Sequence, residues 1–137
     1  MNLPLKGGCL CGRIRFEVDA EPLTSGVCHC RHCQLATGAP HFAAVAVPTP
    51  ALRVQGETRA FAVSGDSGSR VERSFCPTCG TTLFGRSASM PQATQVSAVV
   101  FDDPSGLAPR MHVYAASAQP WDAIDGPLPA FPRMPHA

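Results

Sequence analysis

Seven cysteines fall in three short groups: Cys9 and Cys11 in GGCLCG, Cys28, Cys30 and Cys33 in CHCRHC, and Cys76 and Cys79 in CPTCG. Sulfurs crowded this way can form disulfides, hold a metal ion or act as nucleophiles. Seven is odd, so any disulfide scheme within the chain leaves at least one thiol unpaired. The N-terminus, MNLPLKGGCLCG, has no cationic lead followed by an apolar stretch of signal-peptide length. The expected compartment is therefore the cytoplasm, where clustered cysteines are more often metal ligands or catalysts than disulfide partners.

Spacing divides the labour. In CPTCG the two sulfurs lie three positions apart on a tight turn, with Gly80 free to take a positive φ, so both thiolates can face one ion. In CLC on extended chain, side chains at i and i+2 share a face about 6–7 Å apart at Cα, which suits two Zn–S bonds of about 2.3 Å to one ion. Cys9, Cys11, Cys76 and Cys79 are thus expected to form a closed, structural four-thiolate zinc site linking the N-terminal strand to a hairpin more than sixty residues later. A thioredoxin-like redox CxxC would need a βαβ setting, which the chain does not offer. Spacing alone also permits CPTCG to draw its two partners from the middle cluster.

With those four assigned, Cys28, Cys30 and Cys33 remain as three ligands on one loop. Structural zinc is almost always closed by four protein ligands, whereas catalytic zinc keeps a position for water or substrate. A three-cysteine set therefore points to a second, catalytic zinc. The competing readings are that His29 or His32 closes the site, or that the three are simply reduced thiols.

Elsewhere the pattern is that of short strands. RIRFEV sets Ile14, Phe16 and Val18 on one side and Arg13, Arg15 and Glu17 on the other. Comparable runs recur at HFAAVAV, LRV, TRAFAV, SRVERSF, TTLF, TQVSAVVF and MHVYAAS, each bounded by turn formers. No stretch holds a 3.6-residue apolar stripe for three turns, so helix is limited to a short turn near HCQLATG. These features predict one mostly antiparallel β domain over residues 1–137. Its Pro-rich tail from Ala118 is expected to lie extended across the body, anchored by Trp121, Ile124 and Phe131. His41 and His112 read as strand residues, and Asp102 and Asp103 as a turn. Apolar residues at 45% and a net charge of +1 give no polyanion-binding surface, so nucleic acid is not an expected partner. FAAVAV, the longest run of small apolar residues, is too short to cross a bilayer, so neither is a membrane.

GGCLCG, CHCRHCQLATGAP and SRVERSFCPTCGTTLF, in this order, resemble the glutathione-dependent formaldehyde-activating enzyme family, which includes centromere protein V. HVYAASAQPW followed by DGPLPAF is similar to that family's C-terminal signature, so the resemblance runs from Gly7 to about Pro132. It implies a tent of β-sheets joined by structural zinc at Cys9, Cys11, Cys76 and Cys79, with exchangeable catalytic zinc at Cys28, Cys30 and Cys33: two zincs per chain. It also implies a carbon–sulfur lyase that joins a thiol, with glutathione as candidate co-substrate, to formaldehyde or another small aldehyde.

The chemistry agrees with that implication. A free thiol has a pKa of about 8.5, and coordination deprotonates it and keeps it ready as a nucleophile. Attack on an aldehyde creates an alkoxide needing a proton or donor, a role open to His29, His32 or Arg31, with His29 favoured because it sits between two ligands. Residues to grip the carboxylates of glutathione are not evident: Arg31, Arg53, Arg59, Arg70 and Arg73 are equally well explained as solvated strand faces. Two other classes are weighed against the enzyme. A noncatalytic zinc-stabilised interaction module would leave the three thiols freely alkylated, and a methionine sulfoxide reductase-like enzyme would need a reactive cysteine outside both clusters.

Overall fold

Ile14, Phe16 and Val18, which alternation assigns to one face, are all buried in the structure, a computed structural model describing residues 1–135. His136 and Ala137, the end of the predicted tail, lie outside the described residues. The strand carrying Phe16 and Val18, β2 (Arg15–Val18), is the middle of a three-stranded antiparallel sheet with β1 (Leu5–Gly8) and β5 (Leu52–Gln55). The other seven strands are β3 (Thr24–Cys28), β4 (Phe42–Pro48), β6 (Arg59–Ser64), β7 (Arg70–Phe75), β8 (Thr82–Ser87), β9 (Ala93–Ser97) and β10 (His112–Val113). They form one sheet in the order β10-β3-β4-β9-β8-β7-β6. Every pairing is antiparallel except β10 on β3, where Val113 lies opposite Cys28. The single α-helix among the described residues, α1 (Arg31–Thr37), follows β3, where a short helical turn is predicted.

The two sheets share one core. Phe16 lies edge-on to Phe84 of β8 at 5.4 Å and to Phe101 at 5.2 Å between ring centroids, and such pairs contribute about 0.5–1.5 kcal/mol each beyond their burial. Val45 and Val47 of β4, Leu83 of β8 and Val96 of β9 complete the packing. TQVSAVVF is not strand throughout: after Ser97 the chain takes a 3₁₀ turn over Ala98–Val100, which returns Phe101 to bridge Gly7 of β1. That approach explains Gly7, where a Cβ would meet the Val100 carbonyl oxygen at 2.3 Å and Phe16 Cζ at 2.5 Å.

The tail runs extended beside residues 112–116, as its prolines require, and is held through its backbone. The His112 N–H donates to the Pro129 carbonyl at 2.8 Å, the Phe131 N–H to His112 at 2.9 Å, and the Ala115 N–H to Phe131 at 2.9 Å. Ile124 and Phe131 are half-buried, but Trp121 is 74% exposed and is no anchor. Main-chain hydrogen bonds do the work expected of its ring. No helix among the described residues is long and apolar enough to cross a membrane.

Gly7→Ala should destabilise the fold by about 1–3 kcal/mol, the usual cost of overpacking, as read by chemical denaturation. A neutral result would show that β1 and residues 100–101 can separate freely.

Candidate metal and thiol centre

Two turns from different sheets bring four sulfurs together. Residues 9–14 link β1 to β2 in the small sheet, and residues 76–81 link β7 to β8 in the large one. The sulfurs of Cys9, Cys11, Cys76 and Cys79 all lie within 4.8 Å of one another, with Cys9 to Cys11 at 3.6 Å and Cys11 to Cys76 at 3.7 Å. An ion with Zn–S bonds of about 2.3 Å at the centre of a tetrahedron separates neighbouring sulfurs by about 3.8 Å, so the four thiols fit one zinc. Of the two partitions that spacing allowed, this geometry is the one that pairs CPTCG with the N-terminal cysteines.

Each turn closes as such a site requires. The Gly80 N–H donates to the Cys76 carbonyl at 2.8 Å, with Gly80 at φ 79°. The Ile14 N–H donates to Cys9 Sγ at 3.3 Å. Thr81, which the sequence did not single out, joins the two turns: its Oγ1 accepts from the Leu10 N–H at 3.1 Å and lies 3.2 Å from Cys79 Sγ. Hydrogen bonds from the Thr81 hydroxyl and N–H pull the Cys79 thiol down to about 5. The signal for Thr81 was its place directly after CPTCG.

The remaining three cysteines lie where β3 passes into α1. Cys28 ends β3, Cys30 is the extended N-cap of α1 and accepts from the Cys33 N–H at 3.3 Å, and Cys33 is buried in the helix. Their sulfurs also lie within 4.8 Å of one another, and no fourth Cys, His, Asp or Glu joins them among the described residues. All seven cysteines therefore belong to the two clusters. Hydrogen bonds from Cys28 and Cys33 hold Cys30 down at about 2, while donation to Cys30 pushes Cys28 up.

Arg73 of β7 reaches across to this cluster, its Nη2 3.7 Å from Cys33 Sγ. In the sequence it was indistinguishable from arginines on solvated strand faces, because only the fold brings β7 opposite α1. Beside it opens a groove of about 480 Å³ with His32, Leu35, Phe61, Arg73 and Phe75 on its walls. Leu35 and Phe61 are largely exposed there. Arg31 does not face the thiols in this way: its Nη1 donates to Gln34 Oε1 at 3.2 Å.

His29 does not close the three-thiol cluster. Neighbouring residues on extended chain point to opposite faces, and its ring, 2% exposed, lies against His112 (Nε2 to Nδ1, 3.0 Å), His41 and Asp122. Burial and the adjacent His112 and His41 lower its pKa, against the pull of Asp122. His41 and His112, read from the sequence as plain strand residues, are thus gathered with His29; His41 Nδ1 is 2.7 Å from Asp122 Oδ2. His41 and Asp122 are 81 positions apart, and no local pattern signals their meeting. The other pair read as a turn behaves as one: Asp102 binds Arg15 through both carboxylate oxygens, and Asp103 accepts from the Ser105 N–H.

Gln34, also unmarked in the sequence, fixes the loop. Buried in α1, its Nε2 donates to the His29 carbonyl at 2.7 Å and the Ser117 carbonyl at 3.1 Å, while its Oε1 accepts from Gln119 Nε2 at 2.9 Å. Gln34→Ala strands two carbonyls and should cost about 1–3 kcal/mol, measurable by denaturant unfolding. A loss below about 0.5 kcal/mol would mean that water replaces the amide fully.

The same family emerges from comparison with known proteins. A crystal structure of a Rhodobacter sphaeroides protein superposes with a TM-score of 0.58 at 25% identity, covering 76% of this chain and 95% of that one. A Schizosaccharomyces pombe protein named as an uncharacterized lyase is 32% identical over 79 residues, which is 58% of this chain. The match spans only about half of that relative, 55% of its length. The family model described as glutathione-dependent formaldehyde-activating enzyme matches residues 4–117. Since that match covers most of the chain, the chain belongs to the glutathione-dependent formaldehyde-activating enzyme family.

Proposed function

We propose that the protein is a zinc-dependent carbon–sulfur lyase that adds a thiol, glutathione being the leading candidate, to formaldehyde or another small aldehyde. The observation that carries this reading is the three-thiol cluster of Cys28, Cys30 and Cys33, which has no fourth protein ligand among the described residues. Cys9, Cys11, Cys76 and Cys79 would hold a structural zinc, and the trio a catalytic one. A zinc ion at the trio would supply a coordination position at which an incoming thiol is deprotonated.

The chain's own residues do the rest. The groove beside α1 accepts the body of the thiol compound, and Arg73 at its edge offers a cation to a carboxylate or to negative charge developing on oxygen. In the reaction a C–S bond forms between the thiolate sulfur and the carbonyl carbon as the π pair moves onto oxygen. The proton given up by the thiol ends on that oxygen, so the sum is simple addition. His32, on the groove wall, is placed to return that proton, a role the sequence had favoured for His29. His29 instead supports the loop from the other side, through its carbonyl bond to Gln34. Seven thiols free of disulfides accord with a cytoplasmic setting.

Zinc affinity at the trio should rise with pH. Cys28 and Cys33 are held above the ordinary thiol value and must each lose a proton when the ion binds, so acid opposes loading. Calorimetric titration in buffers of differing ionisation enthalpy should show proton release; a pH-independent affinity would argue against a thiolate site.

Because formaldehyde and thiols combine spontaneously, activity is best read as exchange between glutathione and its hydroxymethyl adduct at equilibrium, by NMR. The zinc-loaded protein should accelerate exchange over the buffer rate, and Cys30→Ser should lower that acceleration by a factor of about 10² or more without unfolding the chain. Exchange at the buffer rate, with the three thiols freely alkylated, would favour a noncatalytic zinc-stabilised interaction module instead.

A further inference from the structure

The cluster on the far side of the catalytic loop has no part in the thiol chemistry. Its three donors come from separate segments: His29 between β3 and α1, His41 immediately before β4, and Asp122 in the tail. One ligand atom from each lies within 4.8 Å of the other two. Two imidazoles and a carboxylate form a donor set that suits divalent iron, zinc, cobalt or nickel, and leaves positions for water.

His29 supplies the second observation. Its Nδ1 is the one buried side-chain nitrogen or oxygen among the described residues with no hydrogen-bond partner. An orphaned buried polar atom costs about 1–3 kcal/mol, so its position calls for an explanation. If Nε2 donates to His112 Nδ1 at 3.0 Å, then Nδ1 carries a bare lone pair directed at Asp122 and His41. This is how a metal-binding histidine is usually held, its other ring nitrogen donating to a fixed acceptor. In the opposite tautomer Nδ1–H would face Asp122 Oδ2 at 3.7 Å, too far for a hydrogen bond.

The spacing is close to that of a ligand shell. Bonds of about 2.0–2.2 Å put ligand atoms roughly 2.8–3.6 Å apart for angles between octahedral and tetrahedral. The distances from Asp122 Oδ2, 2.7 Å to His41 Nδ1 and 3.7 Å to His29 Nδ1, fall just below and just above that range, so small side-chain adjustments would seat an ion. We propose that His29, His41 and Asp122 bind a third metal ion, a divalent first-row transition metal, which fastens the C-terminal tail to the back of the catalytic loop. His112 orients His29 and is a positioning residue.

The test is an anaerobic Co²⁺ titration of reduced, full-length protein free of any histidine tag. Cobalt in the two cysteine centres gives intense sulfur-to-metal charge-transfer bands, whereas cobalt at a nitrogen and oxygen site adds only weak d–d absorption. A third equivalent should therefore bind without raising the charge-transfer bands. It should be lost, or weakened at least tenfold, in Asp122→Asn and in His41→Gln, with the sulfur bands unchanged. The sulfur bands also report that each variant is folded, and His41 is partly exposed, so its substitution leaves the core untouched. Saturation without a third equivalent, or a third equivalent that survives in both variants, would overturn the proposal. Failure of the sulfur bands themselves would instead count against the thiol centres, which keeps the two readings separable.

Discussion

The convergence of two turns more than sixty residues apart governs this fold. Cys9 and Cys11 belong to the small sheet, Cys76 and Cys79 to the large one, and their sulfurs approach to the edge length of a metal tetrahedron. The apolar core presses the sheets together through Phe16, Phe84 and Phe101, but hydrophobic packing alone does not set the register of one hairpin against another. Directional bonds do: Ile14 N–H to Cys9, Leu10 N–H to Thr81 and the turn at Gly80 hold the thiols in place. This precision at one edge of the tent lets β7 stand opposite α1 and bring Arg73 to the second cluster.

That second cluster owes its form to the alternation of extended chain running into a helix. Cys28 and Cys30 share one face, and a single turn of α1 returns Cys33 to the same place. His29, between them, is directed the other way and meets His41 just before β4, His112 of β10 and Asp122 of the tail. A stretch of six residues thus serves two faces with different chemistry, sulfur on one and imidazole on the other. Gln34 holds the arrangement by binding the carbonyl of His29 and two points of the chain after β10.

Much of this was legible in the chain, for identifiable reasons. The grouping of cysteines carries information because i,i+2 and i,i+3 are spacings at which two sulfurs can face one ion. Cys9 and Cys11 nonetheless meet on a turn closed by the Gly12 N–H on the Cys9 carbonyl, where the spacing suggests extended chain. RIRFEV declared its buried face through simple alternation. By contrast β3, TSGVC, has no apolar rhythm, because one of its two buried positions is Ser25, whose hydroxyl donates to the Ala108 carbonyl instead of packing as an aliphatic. β10 is two residues long and gains its place by pairing with β3 and the tail. Arg73, His41 and Asp122 act across distances in sequence that no window can see. Trp121 misled because size suggested an anchor, whereas the tail is secured by main-chain bonds that leave no signature in side-chain type. His29 was placed by proximity in sequence to the thiols, although strand alternation sends it to the opposite face.

The proposed function depends most on the difference between the two cysteine clusters, one of four thiols and one of three. Cadmium-113 NMR of the metal-loaded protein reads that difference directly. Two sulfur-rich resonances should appear, and glutathione should move one of them while the other stays in place. A single sulfur-rich resonance, or a pair in which neither responds to the thiol, would contradict the division on which the function rests.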